Sequence, residues 1–142
     1  MKIFKKSMLA VLCMVLCFSF ISCNKAEEKV SLWENATYTD NQVFGDGSKT
    51  IILEVKAEEK SVEFTFRTEA EILADVLTEH NIISGEEGPY GIYVTSVNGI
   101  EAIYEENQSF WSLERNGLQL TTGVSETGIK DGDKFTFVYT IV

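Results

Sequence analysis

His80 is the one histidine in this sequence, and so the one side chain whose ordinary pKa would let it pass protons near neutral pH. Ser-His-Asp or Cys-His catalysis needs that imidazole held against a nucleophile. Here it closes a helical segment in acidic surroundings, which reads as a surface or capping residue. The paired carboxylates Glu86/Glu87, Glu105/Glu106 and Asp131/Asp133 could do acid–base work only if their environments pushed their pKa values apart. In so acidic a chain their adjacency reads as solvated surface. "KDGDKF" at 130–135 has a calcium-like look but lacks the spaced oxygen ligands and closing glutamate of such a loop, so it predicts a hairpin turn. Gly85, Gly88 and Gly91 do not make a phosphate loop, because two glutamates stand where phosphate would sit and no strand-to-helix order follows. The expectation is a protein that is not an enzyme and carries neither metal nor cofactor.

What remains is recognition chemistry. "SGEEGPYGIYVTSVNGI", residues 84–100, spends the only proline of the chain, Pro89, beside Tyr90 and Tyr93. Glycines that free the backbone and a proline that fixes one angle would present those rings at a set position. Phe110 and Trp111 are neighbours on a predicted strand and must face opposite sides, so one is core and the other is expected on the open sheet face, near the tyrosines and the "TTG" turn. Rigid aromatics with few charges suit an apolar or planar ligand or a protein hot spot. Tyr90, Tyr93, Trp111, Thr122 and Gly123 are therefore the candidate ligand-binding residues, the last two supplying backbone or hydroxyl hydrogen bonds.

The elements that must position them follow from periodicity. "TIILEVKAEEKSVEFTFRT" alternates as a hairpin: Ile51, Leu53 and Val55 share a face, as do Val62, Phe64 and Phe66, and "KAEEK" connects them. Thr68-Glu69-Ala70-Glu71 reads as a capping box that starts a helix, with Ile72, Leu73, Val76 and Leu77 on its apolar face. Asn81 in the left-handed conformation would end it, with Ile82 folding back on Leu77. A strand then runs to the turn Asn98-Gly99, a strand pair surrounds Asn116-Gly117, and a near-continuous apolar strand from Phe135 to Val142 marks the middle of a sheet. This order predicts an α+β fold, a β-grasp-like (ubiquitin-like) mixed sheet packed on one helix. A small open sandwich is the alternative.

The chain starts with Lys2, Lys5 and Lys6 and an uncharged apolar run from Met8 to Ile21, the layout of an export signal. The run is shorter than the ~20 residues of a membrane-spanning helix. It ends in "FISC", and Ile21-Ser22-Cys23 resembles the bacterial lipoprotein cleavage box, which implies lipidation of Cys23. Cys13 and Cys17 would leave with the signal, so Cys23 would remain alone and no disulfide framework is expected. Removing residues 1–22 leaves 120 residues with nine Lys and Arg against 22 Asp and Glu, a net charge of −13. Such a surface repels nucleic acid and anionic headgroups. The expected organisation is a signal at 1–22, a polar tether at 23–32 and one domain at 33–142, held outside the cytoplasm on a bacterial membrane.

"LTEHNIISGEEGPYGIYVTSVNGIEA" and "FWSLERNGLQLTTGVSETGIKDGDKFTFVYT" resemble a bacterial domain family of unknown function related to the C-terminal domain of transcobalamin and intrinsic factor. The likeness spans about Lys49 to Thr140. It implies a β-grasp-like domain and, as in the vertebrate relatives, one wall of a cobalamin site whose other wall is an α/α-barrel, which this chain is expected to lack. Ala102-Ile103-Tyr104-Glu105 departs from the acidic-aromatic pair that bacterial members commonly carry after the Asn-Gly turn, so nothing carries over there. The expected function is a membrane-anchored binding module for a corrinoid-like or other small ligand. The alternative is an interaction or structural module that docks on another envelope protein.

Overall fold

Burial of alternate residues builds the first hairpin. A computed structural model describes residues 29–142, and within it Ser31–Val142 form one compact unit. The predicted signal and most of the tether, Cys23 included, lie outside the described residues. Strands β2 (Lys49–Ala57) and β3 (Lys60–Thr68) pair antiparallel, with Ile51 opposite Phe66, Leu53 opposite Phe64 and Val55 opposite Val62, all buried on one face. Their connection is shorter than expected. Ala57 pairs with Lys60, so the turn is Glu58-Glu59 alone, with Glu58 at φ 56°. A short outer strand, β1 (Gln42–Gly45), runs parallel to β3.

The last strand is central, as its apolar run predicts. β9 (Lys134–Ile141) lies parallel to β2 and antiparallel to β7 (Ser109–Arg115). Phe135, Thr136 and Phe137 are buried in succession, so β9 is covered on both faces there. β8 (Leu118–Gln119) adds a two-residue rung, giving a mixed six-stranded sheet of order β1-β3-β2-β9-β7-β8. The Asn116-Gly117 turn that joins β7 to β8 has φ 49° and 83°, as a tight hairpin requires.

Helix α1 (Leu73–Glu79) buries Leu73, Ala74, Val76 and Leu77 against this sheet. It begins later than the capping box predicted. Thr68 ends β3 and its hydroxyl accepts from the Ala70 N–H at 3.0 Å, while the Glu69 carboxylate takes the Ser48 N–H and hydroxyl. The helix start is set from a distance instead: the Leu73 N–H donates to the Thr127 carbonyl (2.9 Å) and the Ile129 N–H to the Glu71 carbonyl (2.9 Å). Its end follows the sequence pattern. Asn81 has φ 54°, its N–H reaches the Thr78 carbonyl (3.1 Å), and the Ile82 N–H folds back to the Leu77 carbonyl (2.8 Å).

A second sheet was not expected. β4 (Ile83–Gly88), β5 (Gly91–Val97) and β6 (Ile100–Glu101) form a three-stranded antiparallel sheet, so the Gly-Glu-Glu-Gly segment is itself a strand and Pro89-Tyr90 is its hairpin turn. The register slips between Ser84 and Gly85, where a Cβ on Gly85 would stand 1.9 Å from the Tyr93 carbonyl oxygen. Only glycine permits that approach. Ile83, Val97 and Ile100 join the helix in the core, so α1 and the small sheet cover the same face of the six-stranded sheet. The opposite face carries polar positions, where Lys134 Nζ lies 3.4 Å from Glu54 and 3.7 Å from Glu63.

Asn98 ties the N-terminal segment to this arrangement. It is fully buried at the β5–β6 turn, accepts the Tyr38 N–H (2.9 Å) and donates to the Tyr38 carbonyl (2.8 Å). Trp33, in the 3-10 turn Leu32–Asn35, donates its indole N–H to the Ala57 carbonyl at 2.9 Å. The chain is thus α+β, with a β-grasp order of strands around α1.

Candidate functional site

Two strands stop pairing before they end, and a groove opens between them. β7 pairs with β9 along its whole length but with β8 only at Glu114 and Arg115, followed by one bond from the Leu120 N–H to the Leu113 carbonyl at 2.8 Å. That bond shows which way Leu113 points, and by strand alternation Trp111 turns its N–H and carbonyl to the same edge. Among the described residues the Trp111 backbone groups have no partner there. β5 behaves likewise. It pairs with β6 at Ser96 and Val97, followed by one bond from the Ala102 N–H to the Thr95 carbonyl (2.8 Å), and Ile92 turns its N–H away from β4 to the Ser125 hydroxyl (3.1 Å). The groove between these edges holds about 390 Å³, floored by Val124 and Phe137 and bounded at one end by Tyr104.

Trp111 stands differently from its expected place. It lies on the covered face of the sheet, 8% exposed, and Phe110 takes the open face. Register decides this: Trp111 sits opposite Tyr139 and Leu113 opposite Phe137, in line with the core. The indole N–H donates to the Ile100 carbonyl (3.1 Å), and the ring meets Phe137 and Tyr139 edge-on at 6.2 and 5.4 Å. The indole therefore wedges the two sheets together while one edge of it lines the groove.

Tyr93, Trp111, Thr122 and Gly123 line this one groove. Tyr90 does not; it occupies the β4–β5 turn, 80% exposed and outside the groove. The Thr122 hydroxyl lies 3.2 Å from that of Thr127, and the Gly123 carbonyl accepts both the Thr127 hydroxyl (2.7 Å) and the Glu126 N–H (3.2 Å). Gly123 can then offer a ligand its N–H but little at its carbonyl. Ile92, Val94, Phe110, Leu120 and Tyr104 also line the groove and were missed. Tyr104 opens the short helix α2 (Tyr104–Asn107), whose end depends on Gln108 at φ 58°. The alternation of Ile92 and Val94 was the available signal for the wall they form.

The electrostatics are one-sided. Residues 68–114 hold ten aspartates and glutamates and no lysine or arginine. Glu86, Glu101 and Glu105 surround a smaller recess of about 220 Å³ that shares Tyr93 and Tyr104 with the groove. Among the described residues no three His, Cys, Asp or Glu side chains are placed to hold a metal ion. His80 caps α1 and packs against Phe44 and Phe66, with ring centroids 5.1 and 5.5 Å away. Glu69 has a pKa lowered by the Ser48 N–H and then by the Ser48 hydroxyl, and it lies away from the groove.

Solved structures share this architecture. A protein from Ruminococcus gnavus ATCC 29149, proposed to bind metal, is 30% identical over 67% of this chain and 99% of its own, with a TM-score of 0.64. Haptocorrin in complex with Cbi is similar in fold, at 19% identity and a TM-score of 0.52, over 69% of this chain and 26% of that one. No curated protein matches. The model of a domain of unknown function, DUF4430, matches residues 70–140, half of the chain and the part that holds both walls of the groove, and the chain belongs to that family.

Proposed function

We propose that this protein is a non-catalytic binding module, lipid-anchored through Cys23 outside the cytoplasm of a bacterium, that takes an apolar or planar small ligand of the corrinoid class in the groove between β5 and β7. The observation that carries this reading is the groove itself. Its volume of about 390 Å³ falls within the few hundred Å³ of small-ligand sites, and its walls are aromatic and aliphatic with a few polar groups at the Thr121–Gly123 rim. The fold shared with haptocorrin supports corrinoids as the first class to test. The Ruminococcus gnavus relative supports binding as the activity. An acyl chain contributes about 0.8 kcal/mol per buried methylene, so two or more chains on Cys23 would make a lasting anchor.

Calorimetric titration of the soluble domain with cobalamin and with cobinamide tests the ligand. Saturable one-to-one heat, weakened by Tyr93→Ala, is expected, and silence up to high micromolar concentration removes the corrinoid version. Palmitate labelling of whole cells tests the anchor, since Cys23→Ala should abolish the label and release the protein from membranes. A second reading, docking of another envelope protein, is favoured by one specific feature, the unpaired strand edges that flank the groove.

A further inference from the structure

We infer that the groove seats an extended, positively charged peptide, which adds as a strand to the free edge of β7. The inference rests on the docking reading and gives the partner its chemistry. The backbone is the first reason. On the side of β7 away from β9 the Ser109 N–H is taken by Asn107 Oδ1 (3.2 Å) and the Leu113 carbonyl by the Leu120 N–H (2.8 Å), and between them Trp111 offers an N–H and a carbonyl to an incoming chain. A strand there would lie beyond Leu120, the last residue of the β8 segment to bond β7. Unpaired edges of this kind recruit extended peptides through main-chain hydrogen bonds, with alternate side chains entering pockets on one face. Natural edges are usually blunted by lysine, proline or a covering loop. This one has none of the first two between Ser109 and Leu113.

The opposite wall repeats the pattern. Ile92 and Val94 on β5 turn their backbone groups away from β4, and only the Ile92 N–H is taken, by Ser125. A strand added to β7 would run along the groove that Ile92 and Val94 line from the other side, with Val124 and Phe137 also in its lining.

Charge selects the sign of the occupant. Glu86, Glu101 and Glu105 cluster beside the groove mouth, and no lysine or arginine occurs anywhere between Thr68 and Glu114. Tyr93 and Tyr104, 59% and 48% exposed, stand at that mouth, where their ring faces can receive lysine or arginine side chains. An acidic or neutral peptide would meet the same edge without this attraction.

The test uses the soluble domain and three eight-residue peptides: alternating Lys/Val, the same peptide with alternate backbone nitrogens methylated, and alternating Glu/Val. Amide hydrogen exchange and calorimetry are read together, beside the cobinamide titration. The Lys/Val peptide should bind and slow exchange of the Trp111 amide at least tenfold, the methylated peptide should bind at least tenfold more weakly, and Glu/Val should not bind. The triple variant Glu86→Gln, Glu101→Gln and Glu105→Gln, all exposed positions, should lose most of the salt dependence of binding. Equal binding of the methylated peptide, or protection confined to residues outside β5 and β7, overturns strand addition. Saturation by cobinamide with no response to Lys/Val overturns this inference and leaves the small-ligand reading standing.

Discussion

The two sheets of this molecule are made by opposite means. In the six-stranded sheet, β2 and β3 bury every second residue, Ile51, Leu53 and Val55 against Phe66, Phe64 and Val62, and charges on the other face are paired, Lys134 with Glu54 and Glu63. In the three-stranded sheet, β4 buries Ile83 alone, its glutamates face water, and its register depends on Gly85 fitting against the Tyr93 carbonyl. The first sheet is held by packing, the second by backbone geometry and by a few plugs such as Asn98 and Trp111. Side chains not consumed by the core are free to recognise something. Tyr93, Glu86, Glu101 and the unpaired edge of β5 lie on the second sheet, and Tyr104 and Glu105 on the short helix that follows it.

That contrast can be broken by substitution. Phe64→Ala removes a fully buried ring from the first sheet and should cost about 3–5 kcal/mol, whereas Tyr90→Ala, at the 80% exposed tip of the second, should cost less than about 0.5 kcal/mol. Denaturant unfolding of both variants measures the gap, and equal losses would mean that the small sheet is as tightly packed as the large one. Asn98→Ala sharpens the idea of plugs. It leaves the half-buried Tyr38 N–H and carbonyl without partners and should cost about 1–3 kcal/mol, with faster amide exchange at Thr37 and Tyr38.

The smallest effect concerns pH. Glu69 has a folded pKa below its ordinary value because the Ser48 N–H and hydroxyl stabilise the carboxylate, so its contribution is present above the unfolded pKa and fades as pH falls through the folded one. Glu69→Gln should therefore flatten a slight loss of stability on the acidic side and change nothing at neutral pH beyond the loss of that contribution. The readout is Tm against pH for the two chains.

How much of this was readable from residue order depends on how local each cause is. The β2–β3 hairpin, the last strand, the Asn98-Gly99 and Asn116-Gly117 turns and the Asn81 helix end all follow from patterns within a few residues. β4 does not: Gly85-Glu86-Glu87-Gly88 has no apolar alternation, and it becomes a strand only because β5 lies beside it. The same holds for the start of α1. Thr68 to Glu71 has the residues of a capping box, but Thr68 pairs with Lys49 in the sheet and Glu69 is taken by Ser48, contacts made across the fold. For the groove, residue types indicated aromatics and the Thr122-Gly123 turn, and adjacency indicated that Phe110 and Trp111 part company. Which of them turns inward was settled by the pairing of Trp111 with Tyr139, a register no local pattern contains. Tyr90 was grouped with Tyr93 by nearness in the chain, yet the hairpin turn holds it apart.

The central claim is that binding takes place on the side of the small sheet, in the groove between β5 and β7. Backbone amide shift mapping of the labelled domain, titrated with cobinamide and separately with the Lys/Val peptide, tests it most directly. The account predicts shifts concentrated at Ile92–Val94, Trp111–Leu113 and Thr121–Val124 for whichever compound binds. Shifts confined to β1, β2 and β3, or none with either compound, would contradict it.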